Sequence, residues 1–222
     1  MCGRYAVTLP PDAMRALFKV KDRPNYPPRW NAAPTQDLPV IWRDPETGLR
    51  RLSLMRWGLV PFWAKAIDTK PVINARAETA AQKPMFRQAL KKRRALIPAD
   101  GFYEWAGEGR SKRPHFIHAA QGGPVAFAGL WEVWSDKTHG DVRSFAILTV
   151  KANADMADLH DRMPVILAAE QWAAWLDPEA APLDLAPALD GALRAYEVSA
   201  EVGSAKNDGP RLIEPVERTR LF

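Results

Sequence analysis

The chain has 222 residues, 47% of them hydrophobic and 26% charged. That is ample for a packed core, and it excludes a disordered or collagen-like chain. Lys and Arg number 31 against 26 Asp and Glu, for a net charge of +5, and the one cysteine, Cys2, excludes an internal disulfide framework and a Cys-cluster zinc site.

The elements follow in chain order. Apolar alternation predicts a strand over residues 4–9, and a Pro-Pro-Asp start predicts a helix over 12–18. Strands are expected at 38–43 and 51–57. Helices are expected at 77–82 and 85–93, divided by Pro84. Strands follow at 95–97, 102–105, 115–118, 125–134, 144–151 and 164–167. Ala/Leu-rich stretches predict helices at 168–176 and 183–193, with a strand at 195–198. Strands and helices mix without βαβ alternation. This favours an α+β fold with a mainly antiparallel, curled or barrel-like sheet, in one domain over 1–222.

The chain carries no G-x-G-x-x-G or Walker A loop, no apolar run behind a basic start and no stretch able to span a membrane. The expected compartment is therefore the cytoplasm. Charge is uneven. Lys83, Arg87, Lys91, Lys92, Arg93 and Arg94 share one segment, whereas Asp177, Glu179, Asp184, Asp190 and Glu197 lie in another. A basic face with an acidic far end suits a polyanion such as nucleic acid.

Cys2 follows the initiator Met, and with Met1 removed it would be the mature N-terminus. It would then carry a thiol and an α-amine on neighbouring atoms. The amine titrates at about 7.7–8.0, so a useful fraction is neutral near pH 7. The adjacent ammonium and nearby cations are expected to favour the thiolate. Such an aminothiol can attack an acyl carbon with the amine as base. Alternatively, the amine condenses with an aldehyde to a Schiff base and the thiol closes a thiazolidine on the same carbon.

Four further segments carry candidate chemistry. In Asn74-Ala75-Arg76-Ala77-Glu78-Thr79, at a strand-to-helix junction, Asn74 could orient the amine or a substrate oxygen and Arg76 could grip a phosphate. In Gly101-Phe102-Tyr103-Glu104-Trp105 the carboxyl of Glu104 lies between aromatics, a setting suited to proton transfer. In His160-Asp161-Arg162-Met163-Pro164 the imidazole can exchange protons near neutrality, a carboxylate such as Asp161 could fix its tautomer, and Arg162 adds a second phosphate grip. Trp30, Trp57, Phe62 and Trp63, near Pro34 and Pro61, offer stacking faces for splayed bases. By their spacing Trp131, Trp134, Trp172 and Trp175 belong to the core.

These segments, with Cys2-Gly3-Arg4-Tyr5, Trp30-Asn31-Ala32-Ala33-Pro34, Arg56-Trp57-Gly58-Leu59 and Lys206-Asn207-Asp208-Gly209-Pro210, resemble the SRAP (SOS-response-associated peptidase) family, in order and over nearly the whole chain. The resemblance implies a bifurcated sheet curled into a pseudo-barrel and flanked by helices. It implies a monomeric, DNA-associated protein that binds single-stranded DNA, including junctions with duplex. Without a metal or cofactor, it would trap the ring-opened aldehyde of an abasic site as a thiazolidine crosslink by lyase-like Schiff-base chemistry. Carried over to this chain, Cys2 is the nucleophile, Asn74 positions its amine, Glu104 shuttles protons and His160 assists Schiff-base chemistry. Arg4, Arg76 and Arg162 would hold phosphates, and Phe62, Trp63 and Pro34 would meet bases. Some members read Pro-Gly-Trp-Trp where this chain reads Pro61-Phe62-Trp63. The peptidase label implies self-removal of Met1 or a propeptide, and only Met1 precedes Cys2 here.

Two rival readings are an N-terminal-nucleophile amidohydrolase and a non-catalytic single-strand binder. The first commonly carries an Asn-Gly oxyanion motif, which this chain lacks. The second has no use for Cys2, Glu104 and His160 together.

Overall fold

The computed structural model describes residues 2–67, 70–107, 109–138, 140–181 and 183–216. It begins with strand β1 (Tyr5–Val7), helix α1 (Pro11–Phe18) and strands β2 (Arg29–Ala32), β3 (Asp37–Arg43) and β4 (Arg50–Trp57). Then come β5 (Asn74–Arg76), α2 (Ala77–Ala80), α3 (Pro84–Lys92), β6 (Arg94–Ala99), β7 (Gly101–Ala106), β8 (Arg113–Ala119), β9 (Val125–Asp136) and β10 (Gly140–Lys151). The chain ends with β11 (Arg162–Pro164), α4 (Trp172–Leu176) and β12 (Leu193–Glu197).

The fold is mixed α+β, as expected. Strands β10, β4, β3, β6 and β9 pair in that order, and β9 pairs back to β10, closing a five-stranded barrel. The β4–β10 contact is parallel and the other four are antiparallel. Strand β10 then outruns its barrel partner. Beyond the pairing of Phe145 with Trp57 it takes β5 in parallel, Ile147 facing Asn74, and β11 antiparallel, Lys151 facing Arg162. A second sheet, β12-β8-β7-β1-β2, packs alongside. Strands β3 and β6 are buried on both faces over most of their length and β10 from Ser144 to Val150, whereas β4 keeps Arg50, Arg51, Ser53 and Arg56 only part-buried. Tyr5, Phe102, Trp57, Phe127 and Phe145 share the core between the sheets. The Tyr5 ring meets Trp57 edge-on at 5.0 Å.

One predicted helix is absent. Residues 183–189 run as irregular chain. Pro187 explains this, because it lacks an N–H for a helical ladder and biases Ala186 away from α geometry. The segment is tied down instead: Asn153 Nδ2 donates to the carbonyls of Ala188 and Leu189 at 3.1 and 3.3 Å. Strands β2 and β5 were not expected, being three or four residues each. Among the described residues no helix is long and apolar enough to cross a membrane, and no group of His, Cys, Asp and Glu could hold a metal ion.

Candidate functional site

Strand β1 delivers the N-terminal segment between the two sheets. It pairs with β7 through Tyr5 and Phe102, and the Tyr103 N–H donates to the Arg4 carbonyl at 3.0 Å. That register carries Cys2 toward Glu104, two residues further along β7. Cys2 is fully buried and Glu104 is 4% exposed. A glutamate on the solvent face of an alternating strand is thereby excluded. Asn74, at the start of β5, reaches across from the barrel, and its Nδ2 donates to the Cys2 carbonyl at 2.9 Å. Its Oδ1 is buried without a hydrogen-bond partner, as is the hydroxyl of Tyr5. Three strands from two sheets thus bring Cys2, Asn74 and Glu104 together.

The electrostatics of Cys2 are set by its enclosure. Burial first, and the Glu104 carboxylate second, push the Cys2 thiol well above its ordinary range. With Met1 attached, burial thus opposes the thiolate that the freed ammonium and nearby cations are expected to favour. The Tyr5 phenol is pushed up in turn, by burial and then by Cys2.

His160 and Arg162 enter from the turn before β11. His160 Nδ1 accepts from the Arg162 backbone N–H at 2.9 Å, and Asp161 Oδ1 lies 2.8 Å from the same nitrogen. The Arg162 N–H and the Asp161 carboxylate thus converge on one ring nitrogen, which would accept from the first and donate to the second. The Arg162 guanidinium is not vacant. Nη1 and Nη2 donate to the two oxygens of Glu78 at 2.6 and 2.8 Å, and Nη2 also donates to the Thr149 carbonyl at 2.6 Å. Arg76 is exposed at the end of β5.

Arg4 faces away from this cluster. Its Nη1 donates to Asn31 Oδ1 at 3.0 Å and to the Val202 carbonyl at 2.8 Å, and Nη2 reaches the Gly203 carbonyl at 3.3 Å. Asn31 is 1% exposed, and its Nδ2 donates to the carbonyls of Val202, Ser204 and Asn207. Asp208 accepts from the Trp30 N–H at 2.8 Å and the Asn31 N–H at 3.2 Å. Arg4 is therefore held in a knot that ties residues 202–208 to β2.

The aromatic candidates divide. Trp57 is fully buried, with Nε1 donating to the Ile73 carbonyl, so it is core and no stacking face. Trp131, Trp134 and Trp175 are buried as expected, and Trp172 stacks on Phe18 at 4.6 Å. Phe62 and Trp63 are 57% and 55% exposed. They are the central residues of a turn closed by the Ala64 N–H donating to the Pro61 carbonyl at 2.9 Å. The Ala64 carbonyl in turn accepts from Trp134 Nε1 at 2.7 Å, fixing the turn to β9. Trp63 also walls a groove of about 470 Å³ with Arg56, Lys65 and Met85. Half-buried Pro34 occupies a second turn, whose Thr35 has φ of 77° and donates its N–H to the Trp57 carbonyl. Both turns hang from the end of β4.

Of the basic run after Pro84, Lys91, Lys92 and Arg87 are exposed on α3. Arg93 is paired with buried Glu132 at 2.7 Å, and Arg94 is buried over the Trp175 ring. Reading the sequence missed Glu78, Asn31 and Tyr5 as members of this framework. All three lie inside the quoted motifs, but the Glu78 partner is 84 positions away, the carbonyls on Asn31 Nδ2 are 171 to 176 away, and the Tyr5 hydroxyl has none.

A two-sheet α+β fold with an N-terminal Cys-Gly-Arg segment packed against Asn74 and Glu104 defines a class. The sequence profile described as SOS response associated peptidase (SRAP) matches residues 1–205, and the chain belongs to that family. It is 40% identical over 226 residues to the abasic site processing protein YoqW of Bacillus subtilis, covering 96% of this chain and 99% of that one. It is 35% identical over 230 residues to the abasic site processing protein YedK of Escherichia coli, covering 97% and 100%. A crystal structure of a Bacteroides thetaiotaomicron protein superposes with a TM-score of 0.85 at 24% identity over 97% of this chain and all of that one, a likeness of fold.

Proposed function

We propose that this protein processes abasic sites in single-stranded DNA by forming a thiazolidine crosslink through Cys2 after Met1 is removed. The observation that carries the reading is the packing of a buried Cys2 against the Asn74 amide and the buried Glu104 carboxylate. The α-amine of Cys2 attacks the aldehyde carbon of the opened sugar. The resulting carbinolamine loses water to give the imine. The thiol sulfur then bonds to the imine carbon, its proton leaves to Glu104, and the ring nitrogen is reprotonated. The balance is one aldehyde plus one aminothiol giving one thiazolidine and one water.

The raised thiol fits this order, because the amine acts first and a base must collect the thiol proton as the ring closes. Asn74 holds the Cys2 carbonyl, and its unpartnered Oδ1 is free to accept from the amine or a sugar hydroxyl. His160 exchanges a proton with the oxygen that leaves as water. Arg76 and Arg162 lie beside this cluster as phosphate ligands, and the exposed Phe62–Trp63 turn and Pro34 supply apolar faces for bases. Arg4, part-exposed and braced by Asn31 and the 202–203 carbonyls, is a further phosphate ligand. The protein works as a DNA-associated monomer.

The experiment is incubation with abasic single-stranded DNA, followed by denaturing electrophoresis and intact mass. A covalent adduct equal to protein plus DNA less one water is expected, and Cys2→Ala abolishes it. Absence of an adduct from protein whose mass confirms loss of Met1 overturns the reading. Ammonia release from glutamine would mark an amidohydrolase instead.

A further inference from the structure

We propose that Glu78 is a built-in competitor for the phosphate-binding fork of Arg162, and that it weakens the hold of this protein on DNA strands that lack a lesion. The inference rests on the single-strand-binding role just proposed. It starts from the one acidic residue of the Asn74–Thr79 motif, which the crosslinking chemistry does not use.

Arg162 and Glu78 meet fork to fork, both Nη atoms on both carboxylate oxygens at 2.6 and 2.8 Å. This is the same bidentate geometry by which arginine binds phosphate oxygens. The two partners are not equally free to move. The Arg162 side chain is 13% exposed and is anchored a third time on the Thr149 carbonyl, which β10 holds in place. The Glu78 side chain is 49% exposed and stands on α2, a helix of four residues. The carboxylate is therefore the half that can yield.

Position strengthens the case. Arg76 lies two residues before Glu78, and both arginines hold the Glu78 carboxyl below the usual glutamate range, Arg162 through its hydrogen bonds foremost. A carboxylate thus sits among the two cations proposed to meet the strand. A phosphate arriving there must displace a tethered anion or settle beside it, and either route costs affinity. The cost falls on every strand alike. Covalent capture recovers it only where an aldehyde is present, so the contact biases residence toward lesions.

The test uses an undamaged fluorescein-labelled single strand, read by anisotropy across a salt series. Such DNA has no aldehyde, so the result is independent of the crosslink, which the adduct gel reads separately. Glu78→Gln is expected to bind about three- to tenfold more tightly than wild type, with a salt dependence steeper by about 0.7 in logarithmic slope. In an Arg162→Gln background the same change is expected to give no gain. Unchanged or weaker binding by Glu78→Gln, with the variant still folded by circular dichroism at the assay temperature, overturns the proposal and makes Glu78 a brace for Arg162. A gain that persists without Arg162 also overturns it, because the effect would then be general charge.

Discussion

At the residue scale, the cluster of Cys2, Asn74 and Glu104 is a set of polar atoms placed where water does not reach. Glu104 is the sharpest case, a carboxylate 4% exposed beside a thiol that burial holds in its protonated form. Glu104→Gln keeps the shape and removes the base. Crosslinking with abasic DNA is expected to slow about 10²- to 10⁴-fold in stopped-time gels while the affinity for undamaged strands stays near wild type. A large affinity loss with unchanged chemistry would make Glu104 structural. Glu78 gives a pH signature of stability. Its carboxyl is held below the usual range by Arg162, so the contact stabilises the fold above about pH 4.3 and is lost as pH falls through the lowered value. Urea midpoints of wild type are expected to drop more between pH 6 and pH 3 than those of Glu78→Gln. These side chains could be nominated from the sequence because Cys, Glu and His in unusual settings carry chemistry. What they touch could not: the Arg162–Glu78 and Asn31–Val202 contacts join residues 84 and 171 apart.

Elements bring those residues within reach, and here register matters more than propensity. Gly101 opens β7 in a place where an added Cβ would stand 2.4 Å from the Ile117 carbonyl oxygen and 2.6 Å from the Phe116 ring. Only a residue without a side chain lets β7 close on β8. Gly101→Ala is therefore expected to cost about 1–3 kcal/mol in urea titrations. It is also expected to slow crosslinking, because Glu104 rides on the same strand. An unchanged midpoint would show that the sheet absorbs the clash. Most strands were legible because their apolar runs exceed four residues and are bounded by Gly, Pro or Asp. Strands β2 and β5 were not, since Arg29–Ala32 and Asn74–Arg76 are short and polar in part. They are strands because β2 pairs with β1 while Asp208 captures the N–H groups of Trp30 and Asn31, and because β10 extends past the barrel to receive β5. Residues 183–189 misled in the opposite direction, since helical composition lost to Pro187.

On the scale of the whole molecule, the net charge of +5 understates the distribution. Arg43, Arg51 and Arg93 are spent on Asp177, on Asp22 and Asp44, and on Glu132. Arg76, Arg87, Lys91 and Lys92 remain exposed. Binding of single strands is expected to weaken with salt, and Arg76→Gln to reduce the logarithmic slope by about 0.7, uniformly across sequences. A slope unchanged in Arg76→Gln would remove that side chain from the strand's path.

The knot of Arg4 and Asn31 with residues 202–208 also governs timing during synthesis. Arg4 finds its carbonyl partner 198 positions later in the chain. At about 5–20 residues per second, a ribosome needs roughly 10–40 s to supply it. Throughout that interval the segment can be held by Asn31, Asn74 and β7 but not by the 202–203 carbonyls, so the knot is the last of its ties to form.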